Sequence, residues 1–226
     1  MTGLGYVLLY LFRDVLCHNP DTWNMTDKNG ATWRSADELL AQALRYRTYW
    51  KNGGGITVSG GEPLLQIDFL LDLFKKAKAK GIHTTIDTAG GPFTREEPFF
   101  SKFQELMQYT DLLLVDIKHI DEKSHKELTG KTNKNILDMI RFLSDIKKPV
   151  WIRHVLVPER SDYDEYLNRL NDFIQTLDNV ERVEILPYHT LGAYKWKELG
   201  LDYPLEGINP PSRERVENAK KILHCS

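Results

Sequence analysis

The chain has 226 residues, 41% hydrophobic and 27% charged, which fits one folded domain and excludes a disordered chain. A net charge of −2 gives no electrostatic case for a nucleic-acid or anionic-membrane partner, and no apolar run approaches the roughly 20 residues of a membrane span. The two cysteines, Cys17 and Cys225, stand at opposite ends, a pattern of the cytoplasm rather than of a disulfide framework.

Short β-type runs alternate with longer amphipathic stretches. Tyr6–Phe12 reads as a buried strand. Ala36–Lys51 reads as a helix with Leu39, Leu40, Ala43 and Leu44 on one face. Ile56–Ser59 is a strand running into a glycine-rich turn, followed by a helix over Leu64–Lys80 that stops before Gly81. His83–Ile86 is the next strand and Pro98–Gln108 the next helix. Leu112–Asp116 is a strand without polar alternation, so both its faces are expected to be covered. Asp121–Leu128 and Asn135–Ile146 read as helices, Val150–Val157 as a strand, Tyr163–Leu177 as a helix and Val183–Leu186 as a strand. Arg213–Leu223 closes the chain as a helix. Asn24–Trp33 and Tyr188–Asn209 are the longest irregular stretches. This rhythm predicts parallel strands with right-handed crossovers, about six strand–helix units against the eight of a full barrel, hence an α/β fold built as an incomplete parallel (β/α)6 barrel.

Parallel βα folds bind ligands at the carboxyl ends of their strands. Those ends carry Cys17-His18-Asn19, Ser59-Gly60-Gly61-Glu62-Pro63, Asp87-Thr88-Ala89-Gly90-Gly91, Asp116-Ile117-Lys118-His119, Arg153-His154 and Pro187-Tyr188-His189. Gly60 and Gly61 let a backbone approach a ligand closely. Glu62 suits either a ligand ammonium or the cap of a tight turn. Asp116 and Lys118 flank Ile117 and so share a strand face, as a clamp for a zwitterion or as a structural ion pair. Asp87 and Thr88 offer oxygen ligands to a hard cation or a loop cap. Arg153, inside an apolar strand, must face a polar lumen or a partner. His189 follows the last strand. His119 and His125 read as helix-start or surface residues. An acid–base or Schiff-base barrel enzyme built on Asp116, Lys118 and His189 is the reading furthest from the rest of the pattern.

The run Cys17-His18-Asn19-Pro20-Asp21-Thr22-Trp23 resembles the activating enzymes of pyruvate formate-lyase, within the radical S-adenosylmethionine superfamily. The likeness continues through Gly53–Leu64, Asp87–Gly91, Asp116–Lys118, Trp151–Arg153, Leu186–Gly192, Lys195-Trp196 and Pro210-Pro211, covering residues 17 to 223 of a single domain spanning 1–226. The resemblance implies a partial TIM barrel. It implies a [4Fe–4S] cluster on three cysteines spaced C-x3-C-x2-C, and S-adenosyl-L-methionine chelated to the open iron and cleaved on one-electron reduction. The resulting radical would take a hydrogen from a glycine of pyruvate formate-lyase, with a flavodoxin-like or ferredoxin-like electron donor and no nucleic-acid or membrane partner. By motif, the cofactor set would be His18, Gly60, Gly61, Glu62, Asp116, Ile117, Lys118, Arg153 and His189. Gly61 and Glu62 would lie at the methionine amino group, and His189 near the adenosine. Asp87 and Thr88 would hold a monovalent cation, and Cys17 would be an iron–sulfur ligand.

Residues 1–16 depart from the family pattern. Cys17 matches the third cluster cysteine, but Asp14 and Tyr10 stand where the other two belong. Two explanations compete: an altered start on an otherwise intact enzyme body, or a homologue that has lost its cluster and binds adenosylmethionine or the formate-lyase without turnover. Either way little activating turnover is expected, because an oxygen ligand does not replace a soft thiolate.

Overall fold

Ser35 starts the first described helix by reciprocal capping. Its Oγ accepts from the Glu38 N–H at 3.2 Å, and its own N–H donates to the Glu38 carboxylate at 2.8 Å. The computed structural model of the chain describes residues 32–50 and 53–225. The predicted strand Tyr6–Phe12, Cys17, His18 and most of the Asn24–Trp33 stretch lie outside the described residues. Helix α1 (Ala36–Leu44) is shorter than the run predicted from Ala36 to Lys51. The aromatic and β-branched string Tyr46-Arg47-Thr48-Tyr49-Trp50 gives only a 3₁₀ turn over Arg47–Tyr49.

Five parallel strands form one sheet in sequential order: β1 (Gly55–Val58), β2 (His83–Thr88), β3 (Leu112–Asp116), β4 (Val150–Leu156) and β5 (Val180–Pro187). The crossovers are helical. After a 3₁₀ turn at Pro63–Gln66 comes α2 (Ile67–Lys78), then α3 (Phe99–Gln108), α4 (Glu122–Thr129), α5 (Lys134–Asp145) and α6 (Asp164–Ile174). Helix α7 (Ala193–Glu198) lies in the segment expected to be irregular, and α8 (Arg213–Ile222) packs on β5 and α6. The partial barrel is the expected fold; of its expected six strands, five lie among the described residues. Gly55 is required where β1 meets β2, because a Cβ there would sit 1.9 Å from the His83 carbonyl oxygen.

The strands alternate in burial. In β3, Leu113 and Val115 are fully buried against the helices, while Leu112, Leu114 and Asp116 keep partial exposure. One face of β3 thus packs in the core, and the other, with Leu112, Leu114 and Asp116, is half-buried. A five-phenylalanine cluster under α3 anchors the core, with the Phe103 ring centroid 5.1 Å from Phe93 and 6.0 Å from Phe142. A second, small apolar cluster of Val157, Tyr188 and Leu205, flanked by Tyr203 and Ile208, sits apart from it.

Phe103 is 0% exposed. Phe103→Ala is expected to cost roughly 3–5 kcal/mol in urea unfolding. A loss below about 1 kcal/mol would mean the aromatic cluster is not close-packed.

Candidate functional site

Register decides which side chains meet at the carboxyl edge. Asp116 at the end of β3 lies directly opposite Arg153 in β4, and Asp87 sits one strand further on, in β2. Arg153 reaches across both. Its Nε donates to Asp116 Oδ1 at 2.8 Å, its Nη1 donates to Asp87 Oδ2 at 3.1 Å, and its Nη2 contacts Asp87 Oδ1. The Lys118 ammonium sits 2.8 Å from Asp116 Oδ2, and Ser59 Oγ donates to Asp87 Oδ2 at 3.3 Å. These four charged side chains are 13% to 21% exposed. Two carboxylates and two cations thus balance at a partly desolvated rim, where such interactions are stronger than in water.

Ile117 does not share that rim. The two-residue period of a strand sends Asp116 and Lys118 to one face and Ile117 to the other, where its side chain is 1% exposed within the core. Its N–H donates to the Arg153 carbonyl at 2.9 Å. Its backbone stays at the edge between Asp116 and Lys118 while its side chain packs in the core.

The turn after β1 carries Gly60 at φ +89° and Gly61 at φ +53°, conformations that favour glycine. A Cβ at Gly60 would meet nothing within 4 Å, so the turn presents an open face. Glu62 ends it as a cap. Oε1 accepts from the Leu64 N–H at 3.1 Å and from the Thr88 hydroxyl at 2.5 Å, and Oε2 accepts from the Ala89 N–H at 3.0 Å. Burial pushes the Glu62 carboxyl above its ordinary value, against these hydrogen bonds. The Thr88 hydroxyl accepts from the Gly90 N–H at 2.8 Å. In this arrangement Thr88 is engaged with Glu62 and Gly90, and Asp87 with Arg153 and Ser59. His189 is exposed past β5, and its Nδ1 accepts from the Leu191 N–H at 3.4 Å.

Two histidines that the sequence left without a role brace this edge from behind. His154 is 2% exposed, with Nδ1 2.8 Å from the Ile117 carbonyl oxygen and Nε2 3.1 Å from that of Ser161. His119 is fully buried rather than at the surface. It accepts from the Asp121 N–H at 3.0 Å, faces the Arg160 carbonyl at 3.3 Å, and its ring meets Tyr166 edge-on at 4.4 Å. His125 is likewise buried, beside the Lys131 carbonyl at 2.8 Å. His119 and His154 pin the loop after β4 to the end of β3. Their one signal in the sequence is their place at strand ends, since their partners are backbone carbonyls invisible to it.

The Radical SAM superfamily model matches residues 15–173. The pyruvate formate-lyase-activating enzyme of Streptococcus mutans is 55% identical over 208 residues, 92% of this chain and 79% of that protein. The enzyme of the same name from Listeria monocytogenes is 52% identical over 217 residues, 96% of this chain and 86% of that protein. The chain belongs to the pyruvate formate-lyase-activating enzymes of the radical SAM superfamily. A crystal structure of a domain of the pyruvate-formate lyase-activating enzyme from Bacteroides vulgatus matches with a TM-score of 0.62 at 28% identity. That match covers 76% of this chain and 94% of that one. Membership of this radical SAM family implies an iron–sulfur cluster and adenosylmethionine as its reagents. Among the described residues no helix is long and apolar enough to cross a membrane.

Arg153→Met strands two carboxylates at the rim and is expected to cost roughly 3 kcal/mol in urea unfolding at neutral pH. Lys118→Met should cost less, because Asp116 keeps Arg153. Equal losses would contradict the bridging role. Burial also holds His119 down at about 4, from an ordinary 6.5. The unfolded chain therefore takes up this proton first as pH falls, and stability present above 6.5 is lost progressively towards pH 4. Acidifying from pH 7 to about 4.5 should cost on the order of 2 kcal/mol through this group. His119→Gln should flatten that part of the urea-midpoint profile.

Proposed function

We propose that this chain binds S-adenosylmethionine at the rim of Gly60, Gly61, Asp87, Asp116, Lys118, Arg153 and His189, and presents it to a glycine of pyruvate formate-lyase. The observation that carries this reading is the 55% identity across 92% of the chain to a protein named for activating that lyase. The rim suits the ligand. A free amino-acid end brings an ammonium and a carboxylate, and Asp116 with Lys118 and Arg153 offers the complementary charges in one place. Binding would exchange the internal pairs for pairs with ligand, so little charge is left unmatched in either state. Gly60 and Gly61 leave room for the ligand to lie against the backbone, and the exposed His189 stands where the adenosine end would emerge.

When bound beside a reduced iron–sulfur cluster, adenosylmethionine supplies the hydrogen-abstracting chemistry of this superfamily, with a flavodoxin-like or ferredoxin-like protein as electron source. The cysteines of this chain do not fit that cluster. The family motif needs three thiolates, whereas the sequence holds Cys17 and Cys225, with Tyr10 and Asp14 at the other two motif positions. Oxygen donors are poor substitutes for thiolate towards such clusters. This count favours a second reading beside the first, in which the same body binds adenosylmethionine or the lyase without turnover. Both readings place the protein in the cytoplasm, where the lyase and the electron donor would meet it.

One experiment separates them. The purified chain is reconstituted anaerobically with iron and sulfide, iron and sulfide are counted, and adenosylmethionine is titrated calorimetrically. About four of each per chain, with thiolate-type visible absorption, would support the activating reading. Adenosylmethionine binding without retained iron would support the binder. Neither binding nor iron would overturn both.

A further inference from the structure

Resting on the adenosylmethionine reading above, we infer that His154 is a positioning residue for the rim: a neutral imidazole with its proton on Nδ1 donates to the Ile117 carbonyl and holds the end of β3 where Asp116 and Lys118 meet the ligand. Strand β3 parts from β4 at this point. The Ile117 N–H still donates to the Arg153 carbonyl at 2.9 Å. The Ile117 carbonyl oxygen is met by a side chain, with His154 Nδ1 2.8 Å away. Residue 117 joins the two rim charges, so its backbone sets where both of their side chains start. Successive residues of a strand point to opposite faces. Arg153 therefore grips Asp116 from the rim face, Nε to Oδ1 at 2.8 Å, while His154 grips the backbone of the same strand end from the core face. His154 is 2% exposed, so water does not compete for its bond.

Proton count fixes the tautomer. Both ring nitrogens face carbonyl oxygens, which only accept: Nδ1 faces that of Ile117 at 2.8 Å and Nε2 that of Ser161 at 3.1 Å. A neutral imidazole has one N–H to give. Burial favours the neutral ring and holds His154 below its ordinary 6.5. The charged groups facing it are of opposite sign, Asp116 favouring the extra proton and Lys118 opposing it. The single N–H goes to the shorter contact. The Ser161 segment has other ties, its hydroxyl donating to the Val155 carbonyl at 2.7 Å and its N–H to the Val157 carbonyl at 3.0 Å. His119 takes the other tautomer. Its Nδ1 accepts from the Asp121 N–H at 3.0 Å, which leaves Nε2–H for the Arg160 carbonyl at 3.3 Å. Two neighbouring histidines thus carry their protons on opposite nitrogens.

Two measurements on the full-length chain test this. Nitrogen NMR of histidine-labelled protein at neutral pH should show His154, identified by the signals lost in His154→Asn, with its proton on Nδ1, and His119 with its proton on Nε2. An imidazolium, or a proton on Nε2, at His154 would overturn the inference. Adenosylmethionine affinity is then measured calorimetrically for wild type, His154→Leu, His154→Asn and His154→Gln. The Asn amide nitrogen stands near the place of Nδ1 and keeps a donor for Ile117, whereas the longer Gln reaches towards the place of Nε2. His154→Leu and His154→Gln should weaken binding about tenfold, as expected when a buried carbonyl loses its donor, and His154→Asn should recover most of that loss. Equal affinity in all four proteins, equal loss in Asn and Leu, or rescue by Gln alone would overturn the inference. If the wild-type chain binds no adenosylmethionine, the functional reading fails separately. Amide exchange then decides the inference: faster exchange at Ile117 and Lys118 in His154→Leu, restored in His154→Asn, supports it, and unchanged exchange overturns it. If His154→Leu does not fold, the comparison of His154→Asn with His154→Gln carries the same decision.

Discussion

The reach of Arg153 across β3 to β2 is the constraint on which this edge of the protein depends. A parallel sheet delivers every strand's carboxyl end to the same side, and here the deliveries include Asp87 and Asp116 on neighbouring strands. Two partly buried carboxylates side by side would repel. The guanidinium is the one side-chain group with enough donors in a fixed plane to meet both. Lys118 then completes the balance at Asp116. The histidines behind the sheet hold the frame on which this balance is struck, through the carbonyls of Ile117, Arg160 and Ser161.

Much of the fold was legible because hydrophobic period decides it. The bounds of β3, Leu112–Asp116, are those the apolar run predicts, and α5, α6 and α8 begin or end within about three residues of their predicted limits. Helix α7 was not legible. It has six residues, Ala193–Glu198, no side-chain cap, and Gly192 and Gly200 beside it, so nothing local announces it. What orders it is Trp196, buried against Tyr203 with ring centroids 5.8 Å apart.

The site was legible in part for the same reason. Period two puts Asp116 and Lys118 on one face, and that face is where they are. By the same rule it sends the side chain of Ile117 into the core. The pairing of Arg153 with Asp87 spans 66 residues and depends on strand register, which no local pattern encodes. Glu62 shows the limit most clearly. A glycine-glycine-glutamate turn reads equally as a ligand contact and as a cap, and only the position of Thr88, brought in by β2, shows that its oxygens are already in use. The burial of His119 was not legible because its carbonyl partner, Arg160, lies 41 residues on, and that of His125 because its partner is the backbone carbonyl of Lys131 in the next turn.

The small apolar cluster of Val157, Tyr188 and Leu205 separates the segment after β5 from the main core. Its polar seam is the hydrogen bond between the Tyr188 and Tyr203 hydroxyls at 2.8 Å. Regions with few buried apolar contacts open at lower free energy than the sheet they border. The segment that carries His189 therefore depends on this small cluster, and on the Tyr188 N–H bond to the Leu156 carbonyl at 3.1 Å, for its place beside the strands.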